Sequence, residues 1–507
     1  MGVFFLDRNN VFKNTLLLTL SGIIAKTLDF FFRAFYSRHL GSEGCGLLSL
    51  VFSVHSIMLT FATAGISVAT AKLVSRSVAE RNPSMTKSIM KTALAFTFLT
   101  SAAVIFFGII FSKNIAENIL RDIRTQKPLL CLLPSVLFMS VSYCLKGYFY
   151  SVRKILIPAS SEFLEQFVKI TSISLLLKKM LPYGTEFGCM GVFAGLSAGE
   201  FSSCAYLSLF LLRERKLYKK SKCSKGALAP VLKTAFPAMI SSLSGSYLHM
   251  QEELLTVAGL KKHGFGQRDA LSLYGTVSGM VIPLTMFPLT LLSSFLTLLV
   301  PEISRAAARS SKERLADLTQ KVYKFASVVS FMLFAVYFSF SDSLGAAVYG
   351  NPGIGGYIAA FSVLLPVIMT DSVSCGILNG LGKQTTLLVL TLSEAALRIW
   401  LCLALVPVCG ARGIIIFTFA GCIFSFGIRL FIVISKTSAA ANIKTNFIFP
   451  AAAAFAAASA AKLSELELIS PQLCILLCIS VYLTVSAFFK TLTKKDIIWI
   501  FKRLRGV

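Results

Sequence analysis

The stretch NTLLLTLSGIIAKTLDFFFRAF, residues 14–35, decides the fold of this chain. It is long enough to cross a bilayer, yet it carries Lys26, Asp29 and Arg33 among Leu, Ile and Phe. A charge at the centre of the hydrocarbon costs about 3 kcal/mol on insertion scales, so a helix that keeps such charges faces protein or a water-filled cavity. Spacings of three and four residues put all three on one helical face. Two readings follow. In one, a cationic cavity handles an anionic head group inside the membrane. In the other, Lys26 and Arg33 pair with Asp29 and with neighbouring helices, and serve packing alone.

Outward from this stretch the chain repeats the same theme. Its 507 residues are 55% hydrophobic and 14% charged, with a mean hydropathy of +0.75, the composition of an all-α polytopic membrane protein. After Lys13 the apolar stretch runs long and lacks a small-residue cleavage site, so the first span is expected to act as its own insertion signal. About fourteen spans are expected, centred near residues 25, 60, 100, 138, 168, 200, 243, 286, 332, 365, 395, 423, 453 and 479. With the N-terminus inside, cytoplasmic segments hold about 34 Lys and Arg and outer loops about 12. Both termini are then cytoplasmic, as are the basic loop from Arg213 to Lys233 and the tail from Lys490 to Arg505. The net charge of +27 reads as a topology signal and a contact for anionic lipid, not for nucleic acid. The 12 cysteines are scattered without a CxxC, Cys474 and Cys478 read as core residues, and the 4 histidines form no HExxH. Neither a metal site nor a cofactor is expected, and no Walker A motif suggests ATP hydrolysis in this chain.

The basic loop at residues 213–229 divides the chain into two halves that look duplicated, giving expected domains 1–225, 226–440 and 441–507. The fourth span ends Leu145-Lys146-Gly147 and the tenth Leu378-Asn379-Gly380. The helix after each carries an acid and then a base four residues on, Glu165 with Lys169 and Glu394 with Arg398. Counted from the glycine the two spacings differ by four residues, which asks for an insertion. Such pairs recur where two parallel repeats build a transporter. The plainer reading, preferred for Glu394 and Arg398, is a structural pair that lowers insertion cost. Gly65, Pro237, Pro283, Pro288 and Pro366 interrupt apolar segments, as helices bending around a cavity require. Residues 450–461, nearly all alanine, offer a small-residue packing face, and residues 490–507 read as an interfacial amphipathic helix.

Five stretches in order carry a family resemblance: TLDFFFRAFYSRHLGSEGCGLLSL (27–50), ATAGISVATAKLV (62–74), LKGYFYSVRKILIPASSEFLEQFVKI (145–170), LYGTVSGMVIPLTMFPLTLLSSFLTLLVPEISRA (273–306) and GILNGLGKQ (376–384). Together they resemble the MATE-like multidrug/oligosaccharidyl-lipid/polysaccharide exporter superfamily, and within it the stage V sporulation protein B-like lipid flippases. The resemblance implies two six-helix lobes in a V around a central cavity, plus two C-terminal helices. It also implies flipping of an undecaprenyl-pyrophosphate-linked glycan such as lipid II, serving cortex peptidoglycan in spore formers. Basic residues of the first helix line the cavity in such relatives, and Lys26 and Arg33 occupy the matching positions. The chain departs from the pattern at Asp29, where glycine is expected, at His55 for an aromatic, at Glu162 for glutamine, and at Gln251, Glu252 and Glu253 for a lone aspartate.

The expectation is therefore a flippase and not an enzyme, with Lys26, Arg33 and Lys169 binding phosphate oxygens. Asp29, Glu162, Glu165, Glu200 and Asp371 are candidates for ion coupling, with a hydrogen-bonded structural role competing for Asp371. A cation-coupled multidrug antiporter of the same superfamily is the alternative, and a membrane scaffold docking cell-wall enzymes on its basic loop and tail is a third. The expected place is the bacterial cytoplasmic membrane, and the expected partners are the lipid-linked glycan, anionic lipid and possible cell-wall synthesis enzymes. One chain holds both lobes, so a monomer is expected.

Overall fold

Each of the fourteen expected centres falls on a helix of the computed structural model, which describes residues 8–63, 65–215, 226–308, 312–437, 444–466, 471–489 and 491. Among these there is no β-strand. Eighteen α-helices follow in order: α1 (Arg8–Thr63), α2 (Ile66–Ala79), α3 (Pro83–Ile110), the single turn α4 (Ser112–Asn114), α5 (Gln126–Ser151), α6 (Leu156–Met180), α7 (Thr185–Arg215), α8 (Leu228–His263), α9 (Gln267–Tyr274), α10 (Ile282–Ala308), α11 (Lys312–Ser339), α12 (Ser341–Tyr349), α13 (Gly355–Ser362), α14 (Leu365–Gly380), α15 (Gln384–Cys409), α16 (Ala411–Thr437), α17 (Phe449–Leu466) and α18 (Pro471–Phe488).

Local chemistry sets the breaks. Gly41, at φ 70°, divides α1 into two helical runs and so separates the first two expected spans. Gly65 opens α2 in the same left-handed region, at φ 69°, and a Cβ there would lie 2.4 Å from the Ala235 carbonyl oxygen. The helix therefore breaks where α8 comes closest. Asn82 caps α3, its side chain accepting from the Met85 amide at 3.0 Å, and Pro83 takes the first helical position.

Nine described helices are long and apolar enough to cross a membrane, or ten if the bent pair α13 and α14, angled at 50°, counts as one span. Neither α6 nor α8 is among them. The first carries Glu162, Glu165 and Lys169, and the second Glu252 and Glu253, within otherwise apolar runs. The helices that fall short on hydropathy are thus those that carry candidate functional charges.

The described residues form two compact units, Leu20–Gly279, and Met280–Val507 with Met1–Thr19. Lipid tails are as apolar as leucine, so close packing and buried polar contacts hold such helices together. In the first unit α6 packs on α7, α7 on α5, and α5 on α2 and α3. Its core includes Ile66, Val74, Ile89, Leu145, Phe149 and Leu207. Helix α8, which the sequence reading counts with the second lobe, packs on α2 and α3 within this unit. In the second unit α14 contacts α10, α11 and α16, and α15 lies on α16. The alanine face packs as its composition suggests: Ala453, Ala454, Ala457 and Ala461 are buried with Cys474 and Cys478, and Tyr482 donates to the Val328 carbonyl at 2.7 Å. The loop at 216–225 and the tail at 492–507 lie outside the described residues.

Candidate functional site

The first unit brings α1, α5, α6 and α7 together around charges that lie far apart in sequence. Gly199 sets the distance between α6 and α7: a Cβ there would stand 2.9 Å from Lys169 Cβ and 3.0 Å from the Glu165 carbonyl oxygen. Only glycine lets the two backbones approach this closely, and the approach places Glu200 against Glu165. Lys169 is buried, and its ammonium donates to Asp29 Oδ1 of α1 at 2.5 Å. Lys146 of α5 reaches α6 as well, with Glu162 at 3.4 Å and Glu165 at 3.8 Å. On α1, Lys26 is exposed and Arg33 half-buried. Neither forms an ion pair or a side-chain hydrogen bond among the described residues. Of the three expected head-group cations, Lys169 is therefore engaged internally, whereas Lys26 and Arg33 are not.

A cavity of about 560 Å³ opens in the same unit. Its polar lining is acidic: Glu200 and Glu253, with His55, His249 and the hydroxyls of Ser53 and Ser246. His55 bonds Ser135 Oγ at 2.9 Å, and His249 lies 3.4 Å from Glu253. The other carboxylate oxygen of Glu253, Oε2, is buried without a hydrogen-bond partner among the described residues. None of Lys26, Arg33 and Lys169 lines this cavity. The acids of the cavity border the cations: Glu200 lies against Glu165 within electrostatic reach of Lys146 and Lys169, and Glu253 within reach of Arg33.

The second unit holds a smaller cavity of about 240 Å³, lined by Asp371, Glu394, Arg398 and Arg429 among apolar side chains. Arg429 of α16 is its centre. Its guanidinium is bonded to Asp371, to Glu394 Oε2 at 3.3 Å and to Thr391 Oγ1 at 3.2 Å. Arg398 lies over the Phe417 ring at 5.8 Å and against Gly421, where a Cβ would meet Arg398 Cγ at 2.4 Å. Two acids and two arginines leave the cluster formally neutral.

Sequence reasoning missed three of these participants. Lys146 stands next to a glycine at a helix end and resembles a boundary residue. Arg429 belongs to an apolar helix, α16, with its only other charges, Arg412 and Lys436, near the ends, and that isolation was the signal that could have found it. Glu253 shares its turn with Gln251 and Glu252, so the sequence alone did not single it out.

The family model described as polysaccharide biosynthesis protein matches residues 11–306. Stage V sporulation protein B of Bacillus subtilis (strain 168) is 27% identical over 352 residues, covering 68% of each chain. Sporulation protein YkvU of the same organism is 22% identical over 311 residues, covering 60% of this chain and 67% of its own. Among solved structures, a lipid II flippase MurJ in an inward closed conformation superposes with a TM-score of 0.71 at 16% identity, covering 95% of this chain and 99% of the flippase. An inward-facing MATE family multidrug resistance transporter of the MOP superfamily gives a TM-score of 0.68 at 14% identity, covering 83% of this chain and 98% of the transporter. These two likenesses establish a MATE- and MurJ-like helical fold. With the family model matched over more than half of its length, the chain belongs to the polysaccharide biosynthesis protein family.

Proposed function

We propose that this chain is a flippase that carries a lipid-linked glycan precursor across the cytoplasmic membrane by alternating access. The observation that carries the reading is the set Lys26, Arg33 and Lys169 on α1 and α6, two of them without an internal counter-ion among the described residues. A lipid pyrophosphate does not cross hydrocarbon unaided, because stripping water from its charges costs too much. Ammonium and guanidinium groups at membrane depth replace that water with charge-assisted hydrogen bonds. The likeness to a lipid II flippase and to two sporulation proteins supports a lipid II-like cargo; its carrier in this reading is undecaprenyl pyrophosphate and its destination spore cortex peptidoglycan. In this reading the chain works as a monomer, both termini are cytoplasmic, and the basic surface meets anionic lipid and cell-wall synthesis enzymes.

The acidic cavity favours a second reading, a cation-coupled antiporter, in which Glu200 and Glu253 bind the coupling ion or a cationic cargo. One experiment separates the two. Wild type and Lys26→Ala/Arg33→Ala are reconstituted into liposomes with labelled lipid II, and label reaching the opposite leaflet is measured. Transport by wild type and its loss in the variant is the expected result. Absence of lipid transport by folded wild type, together with Glu200-dependent efflux of an organic cation, would replace the flippase by the antiporter.

A further inference from the structure

Lys169 and Asp29 differ in one telling respect: the lysine side chain is 9% exposed and the aspartate side chain 52%. The bond runs from a buried cation outward to an accessible anion. Asp29 is the one acidic residue of the chain between Arg8 and Ser42, and it stands three residues after Lys26 and four before Arg33. On a helix these neighbours have Cβ atoms roughly 5–6 Å away, so Lys26 and Arg33 flank the carboxylate that Lys169 bonds, without pairing to it. A carboxylate offers two oxygens in a plane, much as a phosphate offers its non-bridging oxygens.

On the flippase reading, we propose that Asp29 is a place-holding counter-ion. It occupies Lys169 while no cargo is bound, gives way to an anionic phosphate head group, and expels that group on returning. The physical advantage lies at both ends of the cycle. A buried ammonium without a partner is costly, and with Asp29 at hand Lys169 is never left bare. A site holding three unopposed cations would also bind a pyrophosphate too tightly to release it, and the returning carboxylate competes for the same donor.

The test uses the full chain in lipid nanodiscs, with undecaprenyl pyrophosphate as probe and undecaprenol as the uncharged comparison. Asp29→Asn is expected to bind the pyrophosphate at least about tenfold more tightly than wild type, because the competing charge is gone. The same variant is expected to flip lipid II more slowly, since release becomes limiting. Asp29→Glu, with the carboxylate restored, should return both quantities toward wild type, and Glu80→Gln, in an exposed pair with Arg76 away from the site, should leave affinity unchanged. Should Asp29→Asn fail to give monodisperse protein, Asp29→Ser removes the charge and carries the same test. Saturable wild-type binding that weakens in Lys169→Ala but is not tightened by Asp29→Asn or Asp29→Ser would overturn the place-holder and leave the flippase standing. Absence of saturable binding to wild type would remove the flippase reading itself, and the place-holder with it.

Discussion

At the scale of single residues, the chain spends its membrane-embedded charges in two ways. Arg429 is consumed internally: its side chain is 6% exposed and bonds Asp371, Glu394 and Thr391 at once. Glu394 and Arg398 stand out in the sequence by their four-residue spacing and Arg429 by its isolation in an apolar helix, but that Arg429 meets Glu394 is not legible, because it lies 31 residues after Arg398 and the contact depends on the packing of α15 on α16. Removing one partner of such a cluster strands the others in low dielectric, at a cost of about 3–5 kcal/mol. Arg429→Leu is therefore expected to reduce membrane abundance sharply. Adding Asp371→Asn and Glu394→Gln to the same chain should restore much of it, as followed by quantitative immunoblot of membrane fractions. Unchanged abundance in the single variant would show that the cluster is not structural. Arg33 presents the opposite case. It is half-buried on α1, has no ion pair among the described residues and lies within electrostatic reach of Glu253.

At the scale of elements, what the sequence could not disclose is which loops meet. Asp122, Glu43, Arg124 and Gln267 are scattered over more than two hundred residues, yet they form one network at a helix edge. Arg124 bonds Glu43 at 2.5 Å and Asp122 at 2.8 Å, and Gln267, at the start of α9, donates to the Arg121 carbonyl at 3.1 Å. The same face is closed by a crossing of α1 with α9, where Ser42 and Ser272 share a hydrogen bond of 2.6 Å and a Cβ on Gly275 would lie 2.0 Å from the Ser42 carbonyl oxygen. Burial pushes the Asp122 carboxyl upward, but the hydrogen bonds and charge of Arg124 outweigh it and hold the group below its ordinary value. A depressed folded value stabilises the protein above the unfolded value, about 3.9, and that contribution fades as pH falls through the lower folded value. The melting temperature of Asp122→Asn should thus lie below that of wild type near neutral pH. The gap should close as the pH is lowered beneath about 3.9. A gap that stayed constant across the acid range would assign the loss to geometry rather than charge.

At the scale of the whole molecule, the duplication was visible in the sequence but in the wrong register. Matching Gly147 with Gly380 demands an insertion, whereas the structure supplies a better anchor. Helix α5 ends in a left-handed turn at Arg153, φ 60°, and α14 ends in the same turn at Gly382, φ 72°, with the same hydrogen-bond pattern into Lys154 and Lys383. Counted from those residues, Glu165 and Glu394 both come twelve residues later and Lys169 and Arg398 both sixteen, without an insertion. The next helix repeats the likeness: Gly199 packs on Lys169 and Gly421 on Arg398. Sequence comparison anchors on glycine because glycine takes the left-handed region without strain, and an arginine doing the same work goes unnoticed. Two parallel repeats of six spans place equivalent turns on the same side of the membrane, which turns the repeat into a statement about topology. Arg81, Arg153 and Gly382 all close helices with this turn, and the proposed topology, with both termini inside, puts all three in the cytoplasm. Single cysteines at Arg81, Lys154 and Lys383, in a cysteine-free chain, are therefore expected to resist a membrane-impermeant maleimide added to intact cells and to react after permeabilisation. Cysteines at Lys113 and Lys262 should react from outside. Outside labelling of either Lys154 or Lys383 alone would break the parallel relation between the halves, and outside labelling of all three turns would keep the repeat while inverting the chain in the membrane.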